Sequence, residues 1–164
     1  MISARHSSAL RTSGRRRCRV GHSLTPLSKW GNPHVADTKK TILVVDDEQD
    51  VLSYLTTFFQ DNGFDTLTAM DGKQGMELAR SSKPALITLD ITMPSESGVR
   101  MFRDLQADPN TAEIPVVIIT GISSEFEQFI RSRKQVAPPA AYFEKPVDRD
   151  AVLAKVRELL GQGA

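Results

Sequence analysis

Three short aliphatic runs, each stopped by a polar group, constrain this chain more than anything else in it. Thr41-Ile42-Leu43-Val44-Val45 runs into Asp46-Asp47, Ala85-Leu86-Ile87-Thr88-Leu89 into Asp90, and Val116-Val117-Ile118-Ile119 into Thr120. The middle run is bracketed by Pro84 and Pro94. Runs this short and this continuously apolar read as strands covered on both faces, as in the interior of a parallel sheet. Helices cover the faces of such a sheet, so it opens onto loops at the carboxyl ends of its strands, and ligands bind at that rim. Three strand ends therefore aim polar groups at one place.

The intervening segments supply the helices that such a sheet needs. Val51, Leu52, Leu55, Phe58 and Phe59 recur on one face of a helix that Asp50 is placed to cap and that Asn62-Gly63 is placed to stop. Residues 64–69 predict a second strand and 73–81 a second helix, which Pro84 cannot continue. Gly98 precedes a helix carrying Val99, Met101, Phe102 and Leu105, and Phe126, Phe129 and Ile130 mark a fourth. Residues 140–143 predict a fifth strand, and Val152, Leu153, Val156, Leu159 and Leu160 stripe a last helix ending at Gly161. Five strands and five helices in alternation predict an α/β fold: a five-stranded parallel sheet, doubly wound, with right-handed crossovers.

The formal net charge of +1 conceals a split. Residues 1–40 hold nine Lys and Arg against one acid, Asp37, and carry +8; residues 41–164 hold 12 bases and 19 acids and carry −7. The first segment is rich in Arg and Ser, lacks periodicity and has too few aliphatics to offset the entropy of ordering it, so a disordered basic tail is expected. Its cluster Arg15-Arg16-Arg17-Cys18-Arg19 fits an arm for nucleic acid or an anionic membrane, or a transit leader. A leader that is not translated, with Val35 as the true first residue, is a further expectation. One cysteine, Cys18, cannot form an internal disulfide, and no apolar run reaches the roughly 18 to 20 residues that span a bilayer. A cytoplasmic protein is expected.

At the rim the chain offers Asp46, Asp47, Asp90, Thr120 and Lys145. Carboxylates brought this close repel, and one takes up a proton unless a cation sits among them. Mg²⁺ suits oxygen donors of this kind and keeps several of its waters. With a metal ion and the Lys145 ammonium to neutralise an anion, and Thr120 to offer a hydroxyl, the site has the parts for phosphoryl transfer onto the Asp90 carboxylate as nucleophile.

Asp46-Asp47-Glu48 after an apolar strand, Asp90 followed by Met93-Pro94 and Gly98, Thr120 ending a Val/Ile strand, and Lys145-Pro146 after Tyr142 stand in an order and spacing that resembles the receiver domain of bacterial two-component response regulators. The resemblance covers residues 41–164 and implies a flavodoxin-like fold. It implies that Asp90 is the phosphoacceptor, that Asp47 ligates Mg²⁺ with Asp46 helping through water, and that Thr92 supplies a backbone carbonyl to the metal. It further implies that Lys145 contacts the phosphoryl group, that Thr120 and Tyr142 form a switch pair, and that the Lys145-Pro146 bond is cis. The implied partners are a histidine kinase or phosphotransfer protein upstream and a protein effector downstream; transient homodimerisation is left open. Ile122, two residues past Thr120, leads to an expectation of slow self-dephosphorylation, and the stretch 134–141 is longer than the family's usual turn.

Gly161-Gln162-Gly163-Ala164 ends the given sequence after the last predicted helix, so a stand-alone receiver is expected, a phosphoacceptor rather than an enzyme. A magnesium-dependent aspartyl-phosphate phosphatase is the rival enzyme reading, but that class wants an aspartate two residues after the nucleophile, and Thr92 stands there. A DNA-associated factor using the basic arm is the rival binding reading, without a helix-turn-helix or other reader motif to support it. A P-loop is excluded, since no Gly-x-x-x-x-Gly-Lys-Ser/Thr occurs.

Overall fold

The computed structural model describes residues 39–121 and 137–161. Five strands, β1 (Thr41–Val45), β2 (Asp65–Ala69), β3 (Leu86–Leu89), β4 (Val116–Thr120) and β5 (Ala141–Glu144), form one sheet in the order β2-β1-β3-β4-β5, with every neighbouring pair parallel. Four α-helices are described, α1 (Gln49–Asp61), α2 (Gly72–Ser82), α3 (Ser97–Ala107) and α4 (Arg149–Leu159), with a 3-10 turn at Pro94–Glu96 leading into α3. The helix expected around Phe126, Phe129 and Ile130 lies outside the described residues. So do Ile122, Cys18, Val35 and all of the basic segment up to residue 38.

The alternation of side chains along each inner strand builds two cores. Leu43, Val45, Ile87, Leu89 and Ile118 face a cluster completed by Met76, Met101, Phe102 and Leu105 from α2 and α3. Ile42, Val44, Leu86, Val117 and Ile119 face a second, completed by Leu52, Leu55 and Phe59 from α1 and by Val152 and Val156 from α4. All residues of β3 and β4 are buried, as expected of strands covered on both sides, whereas β2 and β5 at the sheet edges are only partly buried.

Several boundaries differ from the expectation for local reasons. Asp50 does not cap α1: Glu48 holds the cap position without a side-chain bond, and Asp50 lies in the first turn, where a negative charge suits the positive end of the helix dipole. The chain turns into the helix earlier because the Asp46 side chain accepts the Glu48 N–H. The stop at Asn62-Gly63 stands: Gly63 has φ +89°, the left-handed conformation that glycine adopts without penalty. Phe64 lies before β2 rather than in it and packs edge-on against Phe59 in the second core. Gly98 lies inside α3 rather than before it. The folded unit also takes in Lys40, whose ammonium donates to the Leu160 carbonyl just past α4, a satisfied carbonyl at a helix end. No helix among the described residues is long and apolar enough to cross a membrane.

Candidate functional site

The strand order reverses between β1 and β3: the chain leaves β1 toward β2 on one side and returns to β3 on the other. An α/β sheet opens a crevice at that point, outside the carboxyl ends of the two strands. The register pairs Val45 with Leu89, so the next residues, Asp46 and Asp90, emerge side by side. Both are 2% exposed.

The two aspartates are held by the same local device, a side chain that accepts the backbone N–H two residues on. Asp46 Oδ1 accepts the Glu48 N–H at 2.9 Å, and Asp90 Oδ1 accepts the Thr92 N–H at 2.7 Å. Each turn fixes one carboxylate oxygen against the backbone and leaves Oδ2 facing the crevice. Lys145, at the end of β5, reaches both: its ammonium donates at 2.8 Å to Asp46 Oδ2 and at 2.8 Å to Asp90 Oδ2, with Glu48 Oε1 at 3.4 Å. The Lys145-Pro146 peptide is cis.

Gly98 sets how close α3 comes to this site. A Cβ there would stand 2.2 Å from the Asp90 carbonyl oxygen and 2.6 Å from Ile91 Cα. Only a residue without a side chain lets the first turn of α3 pack against the strand end that carries Asp90.

The electrostatics separate the two carboxylates. Burial pushes the Asp46 carboxyl above its ordinary value, an effect that Lys145 and the Glu48 N–H only partly offset and that the neighbouring Asp90 charge increases. Burial pushes Asp90 the same way, but the Lys145 ammonium and the Thr92 hydroxyl and N–H together outweigh it and hold the carboxyl below its ordinary value. Burial alone would lower the Lys145 ammonium; bonds to Asp46 and Asp90 raise it instead, so it stays charged at every physiological pH. Asp90 is the more readily ionised acid, and Asp46 the more ready to hold a proton.

Among the expected site residues, the fold brings together Asp46, Asp90, Thr92, Thr120 and Lys145. Thr120 is fully buried at the end of β4, with its hydroxyl 3.2 Å from that of Thr92. Tyr142 lies on β5 opposite Ile118, two residues from the partner of Thr120 on the same face, and packs against the first core. Asp47 is half-buried at the end of β1 and is not one of the three carboxylates whose oxygens lie within 4.8 Å of one another; those belong to Asp46, Glu48 and Asp90. Glu48 was given no role by the sequence reading, although its place as third acid of the run was a signal. The Thr92 side chain was missed too, since only its carbonyl was considered; its hydroxyl donates to Asp90 Oδ1 at 2.5 Å.

Three clustered carboxylates against one ammonium leave an excess of negative charge around hard oxygen donors, a set that fits a small divalent cation such as Mg²⁺. The Lys145 ammonium beside Asp90 Oδ2 is equally suited to an anionic group carried on that oxygen.

Comparison with known proteins points the same way. Residues 42–157 match the family described as the response regulator receiver domain. The protein PilH of Pseudomonas aeruginosa is 34% identical over 119 residues, which span 73% of this chain and 96% of PilH. The DNA-binding dual master transcriptional regulator RpaA of Synechocystis is 33% identical over 121 residues; the match spans 73% of this chain but 48% of RpaA. Among solved structures, the receiver domain of the sensor histidine kinase PA1611 from Pseudomonas aeruginosa superposes with a TM-score of 0.66 at 20% identity, over 75% of this chain and 98% of that one, and holds a magnesium ion in its active-site cleft.

Proposed function

The chain belongs to the response regulator receiver domain family of two-component signalling, and from that premise we propose that it accepts a phosphoryl group on Asp90 in a Mg²⁺-dependent reaction and passes the signal on through Thr120 and Tyr142. The observation that carries this reading is the position of Lys145, 2.8 Å from one oxygen of each of two buried aspartates, only one of which is held below its ordinary carboxylate pKa.

Asp90 Oδ1 is turned toward the backbone by the Thr92 N–H and hydroxyl, and Oδ2, which faces the crevice beside Lys145, is the oxygen presented for attack. An Oδ2 lone pair forms the new O–P bond while the P–N bond of a phosphohistidine donor breaks, its electron pair returning to the imidazole nitrogen. The depressed pKa keeps Asp90 ionised for that attack, and Lys145, already beside Oδ2, remains to hold the transferred oxygens. Asp46, Asp47 and Asp90, with the Thr92 carbonyl, are the groups proposed to hold Mg²⁺, and Glu48 joins them as a candidate because of its place in the acidic cluster. Bound there, Mg²⁺ would supply charge neutralisation to the phosphoryl oxygens.

The upstream partner is a histidine kinase or phosphotransfer protein and the downstream one a protein effector. A receiver acting without an output domain of its own is supported by the match to nearly the whole of PilH. Residues 41–164 are proposed as the receiver and 1–40 as a basic appendage to it.

The test is incubation with acetyl phosphate and Mg²⁺, followed by intact-protein mass measurement. Wild type gains one phosphoryl group, chelation of the metal suppresses the gain, and Asp90→Asn does not gain it. Equal incorporation into Asp90→Asn would overturn the reading.

A further inference from the structure

Thr92 stands between the aspartate and the buried threonine. Its hydroxyl lies 2.5 Å from Asp90 Oδ1 and 3.2 Å from the Thr120 hydroxyl. An ionised carboxylate can only accept, so the one proton of Thr92 is committed to Asp90. Thr92 then has only lone pairs to offer Thr120, and the Thr120 hydroxyl must be the donor between them. The three groups form a chain with one direction: Thr120 donates to Thr92, and Thr92 donates to Asp90. The negative charge at the Asp90 end polarises the chain and strengthens both bonds.

We propose that Thr92 is a positioning residue, a latch that holds the Thr120 hydroxyl in its resting direction for as long as Asp90 carries its own negative charge. The inference deepens the function proposed above and rests on it. A phosphoryl group on Asp90 Oδ2 turns the carboxylate into a mixed anhydride, whose remaining oxygen is uncharged and a weaker acceptor. The Thr92 bond to Oδ1 loosens, the polarisation passed on to Thr120 falls, and the phosphoryl oxygens offer the Thr120 proton a better acceptor nearby. The same chemical event that creates the new partner for Thr120 weakens its hold on the old one.

Thr92 is exposed, so its replacement leaves the core intact. Thr92→Val keeps the shape and removes the hydroxyl; Thr92→Ser keeps the hydroxyl and removes the methyl. The readout is the methyl-carbon NMR signal of Thr120, which reports its side-chain rotamer, in protein labelled at threonine methyls and assigned by the signal lost in Thr120→Val. In unphosphorylated Thr92→Val the ratio of released to resting rotamer rises about two- to tenfold, the range that one hydrogen bond is worth. Thr92→Ser restores the wild-type signal. An unchanged Thr120 signal in Thr92→Val, or a Thr92→Ser protein that behaves like it, overturns the latch. The underlying phosphorylation reading is tested separately, by adding acetyl phosphate and Mg²⁺ to the wild type: a Thr120 signal that responds there but not to Thr92→Val removes the latch alone, while a wild type that takes up no phosphoryl group removes the function on which the latch rests.

Discussion

At the end of β1, Asp46 bends back to accept the Glu48 N–H; at the end of β3, Asp90 bends back to accept the Thr92 N–H; and the outer oxygen of each meets the same lysine at the same distance. The turns are alike and the burial is alike, yet one carboxyl is pushed up and the other down. The difference is the residue two positions on. Thr92 adds a hydroxyl donor to its N–H, whereas Glu48 supplies its N–H alone. The donors that its own turn supplies, rather than depth of burial, set which of the two carboxyls is the more readily ionised.

Removing the shared cation breaks the comparison most severely. Lys145→Met leaves two buried aspartates without a counter-charge and is expected to lower stability by about 3 kcal/mol at neutral pH without Mg²⁺, read by urea denaturation. The pH dependence shifts with it. In the wild type the depressed Asp90 contributes stability that is present above the ordinary carboxylate value of 3.8 and is lost as pH falls through its lower folded value; the raised Asp46 works in the opposite direction. Without Lys145 both carboxyls rise relative to the wild type, so the variant's deficit should shrink as pH falls from 7 toward 4 and below. A deficit independent of pH would show that the lysine acts by packing alone.

The packing behind Asp90 comes next in size. No glycine occurs in α1 behind Asp46, while Gly98 of α3 lies against the backbone of Asp90 and Ile91. Gly98→Ala puts a methyl group on backbone atoms that cannot rotate away and is expected to cost about 2 kcal/mol, with slower phosphorylation by acetyl phosphate because the strand end is displaced. Thermal unfolding and the rate together check it, and an unchanged rate would separate the contact from the chemistry.

The smallest change sharpens the comparison. Val44 on β1 pairs in register with Thr88 on β3, each two residues before its aspartate. The Thr88 hydroxyl is buried without a hydrogen-bond partner. Thr88→Val makes the two strands match and removes that unsatisfied group, so it is expected to stabilise the fold by about 1 kcal/mol, raising Tm by about 3 to 5 °C for a domain of this size. A loss of stability would mean that the hydroxyl serves a purpose beyond the sheet.

Much of this is legible in the residue order. The inner strands could be read because continuous Val, Ile and Leu runs have few other uses, and the helix stop at Gly63 because glycine tolerates the left-handed backbone that ends a helix. Asp46, Asp90, Thr120 and Lys145 were readable as a set because each follows or ends a strand. Glu48 and the Thr92 hydroxyl were not, since nothing in the residue order says which way a side chain turns after a strand ends, and the cap of α1 was misassigned to Asp50 for the same reason.

The order of short apolar runs and periodic segments is itself enough to determine a parallel, doubly wound sheet, because burial leaves few other arrangements for those patterns. Tertiary structure alone decided that β1 and β3 lie side by side, that Lys145, distant in the chain, spans both aspartates, and that the Thr92 hydroxyl lies between Asp90 and Thr120. Hydrophobic pattern is a property of the local sequence, whereas the strength of a charge or a hydrogen bond depends on ångström distances between groups that only the completed fold brings together.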